Sequence, residues 1–517
     1  MSENQQSPLE GLQFPHLSPA QSPSTSKTGR DILYHALAAV HAGHAEQAQH
    51  EKQWRKNYPL HFKRLVQHGL NSTDAALQIA KDGLNYAQQS FEFYRDGQKV
   101  QLKDIWSLPA KTLQTFEFKG RSNAKPEWYV PYQGQKLQGD ELRKQIENWQ
   151  SRGIIESSHA EALHTCLQHP EWFDLSDRTL VLFGAASEAG PLTWLARWKA
   201  NIIGIDLQNS RVWNKILDTI RQGNATLYAP STDVLSEETD QSVLAEKLGA
   251  NLLTQIPEIA QWLQHFPEQL DLASIAYLDG EKHVRVSLAM DAIMQKVSQY
   301  KPDSSLMYMC TPTDVYAVPA EVIQGVQQNY QHRHHIENLL SKGVALLSRK
   351  HFFQPADQQL YQVNDQQYGI SDCLVVEQGP NYALAKRIQQ WRATLARSQG
   401  QRVSINIAPS TTTRSVTKNP LLKAAFAGAD LFGVEAFAPE TTNAIMAALW
   451  IHDLRNPASV ANPEVSLNHP LELMMSAANH GGLWRVPYLA RTALPFAALY
   501  GFATDNLPKG LLGKLKK

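Results

Sequence analysis

The chain has 517 residues, 43% of them hydrophobic and 19% charged, which is more apolar material than one ordinary domain core needs. Its 49 basic residues balance 49 acidic ones, so no net field draws a nucleic acid or another polyanion. Three widely separated cysteines, Cys166, Cys310 and Cys373, exclude a disulfide framework and a sulfur-rich metal site and fit a reducing, cytoplasmic setting.

Residues 1–29 are rich in Ser, Pro and Gln and lack an apolar stretch, which reads as a disordered lead rather than a signal peptide. From 30 to 170 helical periodicity dominates, as in DILYHALAAVHAGHAEQAQHEKQW, with a hairpin signal at PEWYVPYQGQKLQG. This predicts a separate, mainly helical module whose expected roles are capping the next domain, dimerisation or binding another protein. Strands and helices then alternate from 178 to 460. RTLVLFGAASEAGPLTWLARWKANIIGIDL reads as a strand (Leu180 to Phe183), a turn holding Gly184, Ser187, Glu188 and Gly190, a helix, and a second strand ending at Asp206. Amides of that turn and the start of its helix would face a phosphate, and Asp206 is placed to accept hydrogen bonds from ribose hydroxyls. ATLYAPSTDVL gives a third strand before Asp233 and Val234, LDLASIAYLDG a fourth before Gly280, and SSLMYMCTPTDVY a fifth before Thr311 and Thr313.

An insertion covers about 316–370 and includes the helix-like VQQNYQHRHHIENLLSKG. After it, NYALAKRIQQWRATLARSQG reads as a helix with Tyr382 and Lys386 one turn apart on one face. RVSINIAPST follows, with Val403, Ile405 and Ile407 in a buried strand ending at Pro409. FGVEAFAPETTNAIMAALWIHDL gives a late helix. Residues 461–517 are apolar but broken by Arg485, Pro487, Arg491 and Pro495, too interrupted to span a bilayer. The fold class that follows is α/β, a Rossmann-like doubly wound parallel sheet.

The Tyr382-x-x-x-Lys386 helix, the strand closing on Pro409 and the upstream Gly184–Gly190 turn, in that relative order, resemble the short-chain dehydrogenase/reductase family. The resemblance implies an NAD(P)-dependent oxidoreductase of the carbonyl reductase or alcohol dehydrogenase type. It assigns Tyr382 to proton exchange with the substrate oxygen and Lys386 to the nicotinamide ribose and to lowering the tyrosine pKa. Thr311 or Thr313 stands where the family carries its substrate-orienting serine, with Ser371 as second choice. It places Asp233 and Val234 at the adenine, and Gly280 and Pro409 at the cofactor. Asp206 argues for NAD over NADP, because an acid there repels a 2′-phosphate. Three positions depart from the family: Glu188 replaces the middle glycine of the turn and is expected to point out of the phosphate site, Tyr277-Leu278-Asp279-Gly280 replaces Asn-Asn-Ala-Gly, and a residue near Ser287 replaces the helix asparagine that supports a proton relay.

The apolar C-terminal region suggests a greasy small-molecule substrate, with a homodimer contact and a peripheral membrane contact through GLLGKLKK as secondary expectations. Two other readings compete: an S-adenosylmethionine-dependent methyltransferase, and a non-catalytic Rossmann scaffold. The histidines His35, His41 and His44, and His332, His334 and His335, lack the carboxylate or cysteine partners of a zinc spacing, so no metal is expected.

Overall fold

In the computed structural model, which describes residues 10–16, 23–267, 269–332, 342 and 351–506, a seven-stranded sheet runs through the molecule. Its strands are β1 (Gln114–Lys119), β2 (Thr179–Phe183), β3 (Asn201–Ile205), β4 (Thr226–Ser231), β5 (Leu270–Ser274), β6 (Ser305–Cys310) and β7 (Val403–Ile407). They lie in the order β7-β6-β5-β2-β3-β4-β1. Strands β2 to β7 are parallel, and β1 adds antiparallel to the β4 edge. The chain builds β2, β3 and β4 outward, crosses back, and builds β5, β6 and β7 on the other side, as a doubly wound Rossmann-like sheet does. The reversal falls between β2 and β5, where Phe183 pairs with Ser274, and a crevice opens at the carboxyl ends of those strands.

Strand β2 is apolar along most of its length because both its faces are covered. Leu180 and Leu182 enter the core on one face and Val181 and Phe183 the core on the other, the period of two that a strand imposes. On the first face pack α1 (Leu192–Leu195) and α2 (Ser210–Arg221). On the second pack α3 (Glu281–Tyr300) and α4 (Pro380–Ser398), while α5 (Pro439–Arg455) returns to the first. The Asn209 side chain caps α2 by accepting from the amides of Arg211 and Val212. Trp213, Ile216, Leu217 and Ile220, spaced for one helical face, are fully buried, and each contributes about 2 kcal/mol.

The first 170 residues do not form a module apart. Helices Thr25–Ala38, Trp54–Leu70 and Thr73–Ser90 share one continuous core with α3, α4 and the sheet. Gly83 lies so close to Trp391 of α4 that an added Cβ would sit 2.4 Å from the indole. The Tyr58 hydroxyl donates to the carbonyl of Val375 at 3.0 Å, and Gln88 donates to Asp291 at 3.0 Å. Strand β1 belongs to the main sheet, with Phe116 and Phe118 buried. The expected disordered lead is also partly ordered: Gly11–Gln13 pairs with Glu92–Arg95, Leu12 and Phe14 are buried, and a helix starts at Thr25 under a Ser24 cap. The rest of that lead, 1–9 and 17–22, lies outside the described residues.

The hairpin at PEWYVPYQGQKLQG forms, Val130–Tyr132 against Gln135–Leu137, with positive φ at both Gln133 and Gly134 as a tight two-residue loop requires. The insertion contributes helix Ala320–Gln331 and an antiparallel sheet of Val315–Pro319, Gln366–Asp372 and Tyr361–Val363. His334 and His335 lie outside the described residues. Among those residues no helix is long and apolar enough to cross a membrane.

Candidate active site

At the end of β2 the chain must turn under β5. Gly184 does so at φ +92°, and a Cβ there would stand 2.5 Å from the Ala276 Cα, so only glycine fits. Gly190 is nearly as confined: a Cβ there would stand 3.1 Å from Ile275 and 3.2 Å from Ser187. Inside the turn the Ser187 amide donates to Gly184 and the Gly190 amide to Ser187. The amides of Glu188 and Ala189 find no acceptor among the described residues. The helix expected after the turn is a single one, Leu192–Leu195. A macrodipole needs more aligned peptides than that, so anion binding here rests on the turn amides and not on a helix terminus.

The turn borders a cleft of about 570 Å³. Gly184, Ser187, Glu188 and Asp206 of the expected set line it, joined by Ala250–Thr254, Tyr277, Leu278, Lys282 and Arg285. The Glu188 carboxylate accepts the Arg414 amide at 3.0 Å and lies 3.9 Å from the Arg414 guanidinium, so it is held by the segment beyond β7, next to a compensating cation. Asp206 braces the turn, accepting the Ala186 amide at 2.9 Å and the Leu207 amide at 2.8 Å. Burial pushes its carboxyl above the ordinary range, and the two amides oppose this. Each oxygen keeps capacity for a further donor.

Other expected positions fall elsewhere. Val234 is 85% exposed and Asp233 pairs with Lys247 at 2.9 Å; neither lines the cleft. After β4 the chain turns outward, with Ser231 Oγ accepting the Asp233 amide, and Ala250–Thr254 supplies the wall in their place. Gly280, at φ +64°, opens α3 with nothing within 4 Å of an added Cβ. The Pro409 carbonyl accepts from Thr411, at the end of β7 and off the cleft.

The four residues expected to carry chemistry come together beyond β6. Tyr382 and Lys386 occupy the first turns of α4, with the ammonium 5.9 Å from the centroid of the phenol ring. The Thr311 side chain is close enough to the Tyr382 phenol to act on its pKa, and Thr311 Oγ1 lies 2.8 Å from Thr313 Oγ1. Gln378 donates to Thr313. Beneath them Asp314 is buried between Arg387, at 3.2 Å, and Gln390, at 2.8 Å, which fixes the loop to α4. Ser371 is bonded instead to the Cys373 sulfur at 3.3 Å.

The electrostatics differ from the expectation that Lys386 lowers the tyrosine pKa. Burial holds the Tyr382 phenol above its ordinary value, with the nearby Thr311 opposing. The ammonium is spent on the Met309 carbonyl, 2.9 Å away, and Gln389, 3.2 Å away, and burial lowers its own pKa. His283, which no sequence signal marked, stacks on Tyr382 at 5.3 Å between ring centroids. It is buried with both ring nitrogens unpartnered, and burial followed by the nearby Lys386 pulls its pKa well down. Ser287, one turn further on, is likewise buried without a partner for its hydroxyl.

On the far side of Thr313 lies an apolar cavity of about 90 Å³. Val375, Phe426, Phe432, Val486 and Leu494 wall it, and Thr313 and Ser410 are its hydroxyls. Helices Pro420–Ala427 and Ala490–Asn506 close it from outside; they touch so closely that a Cβ on Gly428 would meet the Ala497 carbonyl.

No protein family matches the chain, and no curated protein matches it in sequence. Among solved structures, the terminal R domain from the myxalamid PKS-NRPS biosynthetic pathway is similar at a TM-score of 0.27 and 12% identity, over 58% of this chain and 66% of that one. The chain thus spans just under two thirds of that domain's length, and the Rossmann-like fold stands on the sheet order itself.

Proposed function

We propose that the protein is a nicotinamide-dependent oxidoreductase that interconverts a carbonyl and an alcohol on a small apolar molecule. The observation that carries this reading is the convergence of Thr311, Tyr382 and Lys386 beyond β6 of a sheet whose switch point holds a large cleft. A dinucleotide fits what is there: Gly184 lets the chain turn tightly against Ala276 at the rim of the cleft, the Glu188 and Ala189 amides are available to a pyrophosphate, and Asp206 retains acceptor capacity toward a ribose. The preference for NAD rests on that carboxylate. When bound, the nicotinamide supplies or takes up the hydride.

The chain's own residues do the rest. Thr311 or Thr313 donates a hydrogen bond to the substrate oxygen and orients it. In the reducing direction the Tyr382 hydroxyl gives its proton to that oxygen, and in the oxidising direction the phenolate takes one back. A phenol kept above its ordinary pKa is fully protonated at pH 7, which suits the donor role. Lys386, already within reach of the loop after β6, binds a ribose hydroxyl. The apolar cavity beside Thr313 receives the hydrocarbon part of the substrate, which makes medium-chain aldehydes and alcohols suitable probes.

Calorimetric titration of the full chain with NADH, NADPH and S-adenosylmethionine tests the assignment. The expected result is binding of NADH, tighter than NADPH. Binding of S-adenosylmethionine alone would make the protein a methyltransferase, and binding of none would leave a Rossmann scaffold. The scaffold reading has one observation in its favour, the engagement of both Asp206 oxygens by backbone amides.

A further inference from the structure

His41 precedes the first turn of helix Ala42–Gln49 and caps it, its Nδ1 accepting the His44 amide at 3.1 Å. The spacing i, i+3 puts His41 and His44 on one side of that turn. His68 reaches them from the last turn of helix Trp54–Leu70. One potential ligand atom from each of the three lies within 4.8 Å of the other two, and the ring centroids are 4.2, 4.4 and 4.9 Å apart. His35 is not part of the group; it belongs to the preceding helix and stacks on Tyr86 at 3.9 Å.

Three imidazoles this close need a reason. Among the described residues none of them pairs with a carboxylate; Glu46, the acid nearest in sequence, pairs with His50 at 3.5 Å, and Glu51 bonds His61 at 3.2 Å. The only hydrogen bond among the rings joins His44 Nδ1 and His68 Nε2 at 2.6 Å. Stacking, the His41 cap on the His44 amide and one shared proton hold the trio together, and imidazole is a common metal ligand.

We propose that His41, His44 and His68 form a binding site for a divalent metal of the zinc type. Three imidazoles and no thiolate or carboxylate favour Zn²⁺ over Mg²⁺ or Ca²⁺. A fourth position is left for water, since His41 is exposed and opens the site to solvent. On binding, the proton shared by His44 and His68 moves to the opposite nitrogen of its own ring, His41 Nδ1 exchanges the His44 amide for the metal, and the His44 and His68 rings spread from 2.6 Å to the wider separation of neighbouring tetrahedral ligands. Arg64, bonded to Gln47 at 2.7 Å, opposes the metal's charge and reduces affinity without removing a ligand. The metal would clip the start of one helix to the end of the next, the same helix whose Tyr58 holds the Val375 carbonyl. None of the three histidines lines the cleft, so the site is independent of the proposed reductase.

The test uses the full chain stripped with a chelator and titrated with ZnCl2 by calorimetry and with CoCl2 by visible absorption. One zinc per chain is expected, with cobalt bands of a tetrahedral, nitrogen-rich site and a higher Tm when loaded. His41→Ala, at an exposed position, and His44→Ala should each weaken zinc binding at least about 10-fold with circular dichroism unchanged. Absence of stoichiometric zinc in the parent protein overturns the proposal. So does undiminished binding in both variants, which would move the metal to other histidines.

Discussion

Two buried polar clusters in this molecule are built on opposite principles. At the start of helix Ser157–Gln168, Glu156 is 3% exposed and every one of its contacts is made. His480 donates to it at 2.8 Å and Arg485 grips both carboxylate oxygens at 2.8 Å. Beyond β6, by contrast, both nitrogens of His283 and the hydroxyl of Ser287 are buried without a partner. A buried polar atom left unpaired costs about 1–3 kcal/mol, and a fold retains such atoms where something other than stability selects them. The closed cluster is therefore a brace, and the open one leaves buried polar atoms unpaired beside the residues proposed to carry the chemistry.

The comparison breaks most readily at Glu156. Its carboxyl is held down to about 2, burial opposing and the His480 bond and Arg485 prevailing; burial keeps His480 below its ordinary pKa, so Arg485 is the charge that matters at neutral pH. Glu156→Ala strands that guanidinium and should destabilise the protein by about 3–5 kcal/mol, read by denaturant unfolding. Because the folded pKa is depressed, the contribution is complete above the unfolded value and is lost as pH falls from about 4.5 to about 2, on the order of 2–3 kcal/mol. A flat stability profile across that window would contradict the brace.

Tyr382→Phe probes the open cluster. Turnover of an aldehyde with NADH should fall by about 10²-fold or more, with NADH affinity nearly unchanged; a fully active variant would end the reductase mechanism. Asp206→Ala should weaken NADH by about 1–2 kcal/mol and NADPH less. Equal losses would mean that the carboxylate acts only through the Ala186 and Leu207 amides. The smallest effect is the sharpest discriminator. His283→Phe replaces two unpaired nitrogens by carbon in a stack with Tyr382, so stability should hold or rise by about 1 kcal/mol while activity drops. Loss of stability instead would place His283 with the braces.

The strands were legible because both faces of the sheet are covered and apolar runs such as TLVLF and VSINI have no other use. Tyr382, Lys386, Thr311 and Thr313 were legible from order along the chain, and they do converge. The wall formed by Ala250–Thr254 was not, since nothing in ANLLT ties it to a cleft, and Asp233 and Val234 were assigned by order alone. LTWLARWKA reads as a full helix, but its regular part ends at Leu195 and Lys199 takes φ +56° to enter β3. His283 and His68 carry no local pattern: one matters through a stack with a residue about a hundred positions on, the other through a partner helix. The lead held its own signal, Leu12 and Phe14, outweighed by its polar composition.

The way Thr25–Ala38, Trp54–Leu70 and Thr73–Ser90 close on α4 has a consequence for how the protein is made. These helices leave the ribosome early, yet the surface they cover, around Trp391, is about three hundred residues downstream. At about 5–20 residues per second the wait is about 15–60 s. Throughout it Tyr58, Phe62, Ile79 and Leu84, all buried in the finished fold, lack the cover that the downstream residues supply. The nascent chain is most exposed to aggregation in that interval, and a fragment truncated before residue 380 would stay in that condition permanently.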